Sequence, residues 1–403
     1  MGSCHLLDSL HLRGFLSFGP GSEPVKLQGL NVLIGPNGVG KSNLIEAVEL
    51  LHATPTNFSS AIRVGGLPSN WIWRSGSGNS SACVDTVLSE TPEQPALRYG
   101  IEFTEVSGRT EITGEVLENT EITEEDHPEQ IDVSFYYRLM QGHSIINAVQ
   151  PSGHLRRNLR VLKREDINPG QSILSQMKDP GTYPELHRTG ERFERIRLFR
   201  EWEFGRNTVL RKPQPADLPA DVLLPNLTNL GLVLADWLHR GGEKWNRFNE
   251  LMRRFLPRYE RFSTTPSTGS IQMFLHEEGL SAPVPATRLS DGTLRFLALL
   301  TILLNTEASL ICIEEPDVGL HPDAMAILAE LLVETSARTQ VIVTTHSDTL
   351  VSELTDHAES VLVCDYGREG TELRRLEFDK LHYWLEKYRL GEMWRLGEVG
   401  GNP

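Results

Sequence analysis

The chain has 403 residues, 39% hydrophobic and 23% charged; this ordinary globular composition allows one large core or two lobes and excludes disorder as the default. The net charge of −15 excludes a surface coated for phosphate binding, because affinity for nucleic acid comes chiefly from Lys and Arg neutralising phosphates. Cys4, Cys83, Cys312 and Cys364 have no CxxC spacing or pairing pattern, which suits a reducing cytoplasm better than a disulfide framework or a zinc site.

The start, MGSCHLL, has no basic region followed by an apolar stretch. The longest largely apolar run, Phe296 to Leu304, is far short of the roughly 20 residues that span a bilayer. The expectation is a soluble, cytoplasmic protein without a membrane partner.

Leu30-Asn31-Val32-Leu33-Ile34 is a short apolar run ending at glycine and predicts a buried parallel strand, while Asn43 to Leu51 has helical periodicity. Between them lies Gly35-Pro36-Asn37-Gly38-Val39-Gly40-Lys41-Ser42. In a strand–loop–helix setting the glycines let consecutive main-chain N–H groups curl around the β- and γ-phosphates, Lys41 adds positive charge and the Ser42 hydroxyl takes a place on Mg²⁺. The helix dipole adds to the attraction. Asn37, Gly38, Val39, Gly40, Lys41, Ser42 and Asn43 are therefore candidate ATP contacts, and Ser42 also a metal ligand. Further on, Trp71, Trp73 and Arg74 admit two readings: an arginine near the γ-phosphate, or aromatic packing with a surface arginine.

From Ala82 to Leu162, alternating runs such as Arg98 to Phe103 and Ile131 to Tyr137 read as antiparallel strands. The acidic stretch Glu115 to Glu129 reads as a solvated loop. Residues 1–167 would form a first ATPase lobe. Residues 168–265 read as an inserted helical arm, in which Trp237, Trp245, Phe248, Leu251 and Phe255 make an apolar packing face. The arm lacks the sustained heptads of a rod. Basic runs at Arg156, Arg157, Arg160, Lys163 and Arg164, at Arg192, Arg195, Arg197 and Arg200, and at Arg253, Arg254, Arg258 and Arg261 read first as solvated faces or partners for the abundant acids. They leave DNA contact open.

Residues 266–403 would form the second lobe. Leu289-Ser290-Asp291-Gly292-Thr293 opens the helical run Leu294 to Leu304, with Ser290 and Asp291 as a good N-cap. Leu310 to Ile313 predicts a core strand that delivers Glu314 and Glu315 at its C-terminal end, where parallel sheets place ligands. Adjacent strand residues point to opposite sides, so Glu314 is assigned to Mg²⁺ and Glu315 to orienting and polarising the attacking water. Val341 to Thr345 predicts another buried strand, and His346 after it is a candidate γ-phosphate contact.

Phosphate loop, LSDGT, ICIEEP and VTTHS, in that order, resemble the ABC-type ATPase heads of the RecF and SMC group. Within it they resemble short bacterial AAA-family ATPases related to OLD-family proteins. The resemblance extends to LHLRGFLSFG, SILSQMKDPGTYPEL, RIRLFREWEFGR and WLEKYRLGEMWRLGEVGGNP. It implies an α/β fold, an ABC-type ATPase head with mixed and antiparallel sheets plus an inserted helical arm. It also implies ATP and Mg²⁺ as cofactors, and a homodimer in which Ser290, Asp291 and Gly292 of one subunit face the γ-phosphate held by the other. The function it implies is a nucleotide-driven switch in phage defence or genome maintenance, controlling DNA or a separately encoded effector such as a Toprim-type nuclease. Too few residues follow His346 to make a Toprim domain in this sequence. Glu314 stands where aspartate is usual, and LSDGT replaces LSGGQ; Gln150, Gln171 and Gln176 are all open as the Mg²⁺-sensing glutamine. An ATP-binding scaffold with little turnover and a transporter's ATP subunit are the alternatives.

Overall fold

The computed structural model describes residues 5–74, 80–92, 95–120, 135–149, 157–305 and 307–401. The chain packs as two compact units: Met1–Ile196, Ser360–Leu376 and Val399–Pro403 form the first, Arg197–Glu359 and Glu377–Glu398 the second.

In the first unit, an eight-stranded antiparallel sheet runs in the order Val25–Lys26, Leu7–Arg13, Ser81–Leu88, Leu97–Val106, Arg109–Asn119, Phe135–Met140, His143–Val149, Arg157–Leu162. Side chains alternate across such strands, and Tyr99, Ile101 and Phe103 bury one face at period two. The expected strand at Arg98 to Phe103 is thus present, and that at Ile131 to Tyr137 is described from Phe135 onward. Of the stretch Glu115 to Glu129, residues 121–129 lie outside the described residues, and Glu115 to Asn119 form strand instead of the expected solvated loop. Glu115 lies in the strand Arg109–Asn119, 3% exposed, and accepts hydrogen bonds from Tyr99 Oη (2.7 Å), Ser172 Oγ (2.5 Å) and Ile173 N (3.0 Å). Three donors let a carboxyl be buried where an unpaired one could not be.

The same unit holds a mixed sheet. Leu30–Ile34, with all five residues buried, pairs in parallel with Val361–Gly367, which pairs antiparallel with Gly370–Arg375. A buried parallel strand has both faces covered, hence its unbroken apolar run. Helix Lys41–Ala53 follows and buries Leu44, Ile45, Ala47, Val48, Leu50 and Leu51.

In the second unit, Leu310–Glu314 pairs in parallel with Gln340–Thr344. Helices Asp291–Leu304 and Ala324–Ser336 bury most of their surface. A smaller antiparallel sheet of Gln214–Pro215, Ser270–Glu277, Tyr259–Ser267 and Val284–Pro285 is backed by helices Leu230–Arg240 and Glu243–Phe255. Trp237, Phe248 and Leu251 are buried as their spacing implied, whereas Trp245 is only half-buried. Among the described residues no helix is long and apolar enough to cross a membrane.

Candidate functional site

In the first unit, the strand Leu30–Ile34 ends at Gly35, whose φ of 147° and close approach to the Cys364 carbonyl leave no room for a Cβ. Gly38 (φ 80°) and Gly40 (φ 104°) complete the turn, and a side chain at Gly40 would run into Thr371 and Ser17. Left-handed backbone of this kind favours glycine. Gly40 is also the N-cap of helix Lys41–Ala53 and supplies no side-chain cap. With no N-cap side chain to compete for the first-turn N–H groups, the helix start suits an anion. Lys41, 7% exposed, folds its Nζ back to donate to the carbonyls of Gly35 (2.6 Å) and Pro36 (2.9 Å). Asn37, Gly38 and Ser42 are exposed and Val39 is buried.

Two residues that carry no motif, Thr371 and Ser17, brace this loop. Thr371 Oγ1 donates to the Val39 carbonyl (2.6 Å) and lies 2.6 Å from Ser17 Oγ. Ser17 Oγ accepts from Asn43 Nδ2 (2.7 Å). Behind the loop, burial pushes the Cys364 thiol up to about 12, against the pull of Lys41. Trp71 is 5% exposed and its Nε1 donates to the Ile62 carbonyl (2.8 Å), which favours packing for that aromatic. Gln171 caps neighbouring backbone, taking Phe58 N (3.0 Å) and donating to Asn57 Oδ1 (2.9 Å). Gln176 donates to the Gln171 carbonyl (2.8 Å) and accepts from Asn168 N (2.8 Å), and Gln150 lies outside the described residues.

In the second unit, the strand Leu310–Glu314 presents its carboxylates at the C-terminal end. Glu314 Oε2 lies 3.5 Å from Arg200 Nε, while Oε1 is buried with no hydrogen-bond partner. The Glu314 carbonyl accepts from Trp202 Nε1 (2.8 Å). Glu315 leaves the strand in the left-handed region, at φ 46°, a conformation that is uncommon for a non-glycine residue. Its N–H donates to the Thr344 carbonyl (3.0 Å), and its own carbonyl accepts from Arg295 Nη1 (3.1 Å) and Val318 N (3.3 Å). Glu315 Oε1 lies 3.8 Å from His346 Nε2. The two acids thus face different partners, through a backbone reversal rather than strand alternation alone. Beside them, Asp317 accepts from Thr345 Oγ1 (2.6 Å), and burial raises its carboxyl above the ordinary range.

Ser290 caps helix Asp291–Leu304, its Oγ accepting from Thr293 N (3.0 Å). Asp291 is ion-paired with Arg211, a buried guanidinium that also donates to the Ala286 carbonyl (3.2 Å). A Cβ at Gly292 would lie 3.0 Å from the Gly319 carbonyl. One turn on, the Arg295 guanidinium sits over the rings of Trp202 (5.2 Å) and Phe204 (4.8 Å), which stack on each other. Arg295 therefore ties this helix to the Glu315 turn within one unit.

Each unit by itself offers an oxygen of the kind that Mg²⁺, a hard cation, takes: Ser42 in the first and Glu314 in the second. One is an exposed hydroxyl at the helix start, and the other holds a buried oxygen with no hydrogen bond.

The architecture is similar to that of solved ATPase heads. A SMC head bound to the C-winged helix domain of ScpA superposes with a TM-score of 0.57 at 16% identity, covering 93% of this chain and 99% of that one. A Smc head with an extended coiled coil, bound to the C-terminal domain of ScpA derived from Pyrococcus furiosus, gives 0.55 at 14% identity, covering 95% and 99%. At such identity the likeness is one of fold, that of the SMC ATPase head. No curated protein matches the chain. Residues 30–352, from the strand before the phosphate loop to the helix after His346, match the family described as "AAA domain, putative AbiEii toxin, Type IV TA system", and the chain belongs to that family.

Proposed function

We propose that this protein binds ATP at the phosphate loop, hydrolyses it, and works as a dimeric switch. The observation that carries the reading is the loop itself, in which three glycines of positive φ and an N-cap without a side chain prepare main-chain donors for phosphate. Asn37 to Asn43 hold the phosphates, with Lys41 as the cation. Ser42 and Glu314 hold Mg²⁺, which neutralises charge developing on the phosphates. Glu315 orients a water and takes its proton as the oxygen attacks the γ-phosphorus and the bond to the β–γ bridging oxygen breaks; His346 bonds the γ-phosphate. Two copies sandwich two ATP molecules, Ser290, Asp291 and Gly292 acting across the dimer. The switch acts on a separately encoded effector, such as a Toprim-type nuclease, or on DNA, in phage defence or genome maintenance in the cytoplasm. The two SMC heads bound to ScpA domains support a protein partner.

A second reading, an ATP-binding scaffold with little turnover, is favoured by Glu314 standing beside Arg200. Phosphate release at saturating ATP separates the two. Glu315→Gln is expected to bind ATP like the parent and release phosphate at least ~100-fold more slowly, the usual cost of losing a positioned base. Equal turnover by this variant refutes the role of Glu315, and no turnover by the parent selects the scaffold.

A further inference from the structure

We propose that the groove between the outer face of helix Glu243–Phe255 and the strand Tyr259–Ser267 binds single-stranded nucleic acid, with one unpaired base stacked on Trp245 and neighbouring phosphates on Arg253 and Arg261. The groove encloses about 560 Å³ within the second unit and is lined by Trp245, Asn246, Asn249, Arg253, Glu260 and Arg261, among others.

Its geometry follows from two local rules. Trp245, Asn249 and Arg253 recur every fourth residue, so one face of the helix carries all three. On the opposite wall, the pairing of Tyr259–Ser267 with Ser270–Glu277 shifts register between Tyr259 and Arg261. Such a bulge re-aims side chains, and here the successive residues Glu260 and Arg261 are both exposed.

The indole is a fixed platform. It stacks on Phe248 (centroids 4.9 Å apart, 11° between planes) and meets Phe262 edge-on at 6.1 Å. Both phenylalanines are buried. Asn249 Nδ2 donates to the Trp245 carbonyl (2.7 Å) and Tyr259 Oη donates to Asn249 Oδ1 (2.7 Å), which pins the polar edge of the groove.

Charge selects the occupant. Along this stretch, Arg247 pairs with Glu250, Glu330 and Glu334, Arg254 with Glu330, and Arg258 with Glu277. Among the described residues Arg253 and Arg261 have no such partner, in a chain whose net charge is −15. Two uncompensated guanidiniums, with Glu260 the one carboxylate among the groove residues, suit an anionic chain. An aromatic ring backed on one face suits a base rather than an acidic peptide. Bases in a duplex have their faces covered by their neighbours, so the strand must be single.

The proposal does not depend on ATP, and the test uses nucleotide-free full-length protein and a dye-labelled oligothymidylate of about a dozen nucleotides, read by anisotropy between ~50 and ~200 mM salt. The strand is expected to bind more tightly than a duplex of the same length. Arg253→Gln and Arg261→Gln are each expected to lower the slope of log K against log salt by about 0.7, the share of one phosphate on a single strand. Trp245→Ala is expected to weaken binding about 5- to 150-fold, with Trp245→Phe retaining much of the affinity. ATP turnover should be unchanged in the arginine variants, so a failure of the ATPase reading shows separately. Should Trp245→Ala not fold, the two slopes decide. Equal binding of duplex and strand, slopes unchanged in both arginine variants, or displacement of the strand by polyglutamate at equal charge concentration would overturn the proposal.

Discussion

Glu315 at φ 46° holds a backbone conformation that costs of order 1–3 kcal/mol in a non-glycine residue and persists only where surrounding bonds over-determine it. Here those bonds come from the Thr344 carbonyl, the Val318 N–H and Arg295. Glycine at this position would keep the turn and shed the strain. Glu315→Gly is therefore expected to unfold at higher temperature, by about 1 kcal/mol in stability, while phosphate release disappears; calorimetry and a turnover assay on one preparation check both halves. Lys41 calls for the opposite result. Its ammonium is held beside the loop by two carbonyls, and a hydrogen bond to a charged group is worth roughly 1.5–3 kcal/mol. Lys41→Ala should lose about 10- to 150-fold in ATP affinity by titration calorimetry, and unchanged affinity would remove Lys41 from the site.

Among elements, the helix Asp291–Leu304 has two attachments that act on different atoms. Arg211 secures its first residue, and Arg295 reaches from its second turn to the Glu315 carbonyl over the Trp202 and Phe204 rings. Replacing Arg295 by Met should lower turnover with ATP affinity preserved, and Arg295→Lys should restore part of it, since a lysine keeps the cation over the rings. Equal loss of affinity and rate would mean a general collapse of the unit instead. In the antiparallel sheet, burial raises the Glu115 carboxyl from 4.5. A raised carboxyl favours the folded state while protonated, so its contribution is full below pH 4.5 and is lost as pH rises toward the folded value. Glu115→Gln should flatten the fall of stability over that window in urea titrations at several pH values. The runs LNVLI, LICIE and QVIVT declared their strands because a parallel strand buried on both faces needs contiguous apolar residues. Ser290 declared its helix because an N-cap needs a short acceptor side chain. Ser17 and Thr371 carried no such signal, since hydroxyls are common and their partners lie far along the chain. Nothing in a glutamate announces φ 46°. Glu115 misled because a count of acids does not see Tyr99 and Ser172 across the sheet.

For the whole molecule, the proposed dimer makes a prediction that no single subunit can satisfy. If Ser290 serves the phosphate loop of the partner, Lys41→Ala and Ser290→Arg proteins should each be inactive alone, and a mixture should recover part of the activity through one intact site per mixed dimer. No recovery, once exchange of subunits is demonstrated by mass spectrometry, would place the signature with its own loop or none. The bracing of the phosphate loop has a consequence for how the protein is made. Val39 is held by Thr371, 332 positions later, and at ~5–20 residues per second a ribosome needs roughly 15–70 s to travel between them. For that interval the growing chain carries the loop with its Ser17 and Lys41 contacts available but without the Thr371 bond. Any product of interrupted translation that stops short of Thr371 leaves the ribosome with the glycines in place and the Val39 carbonyl without that donor.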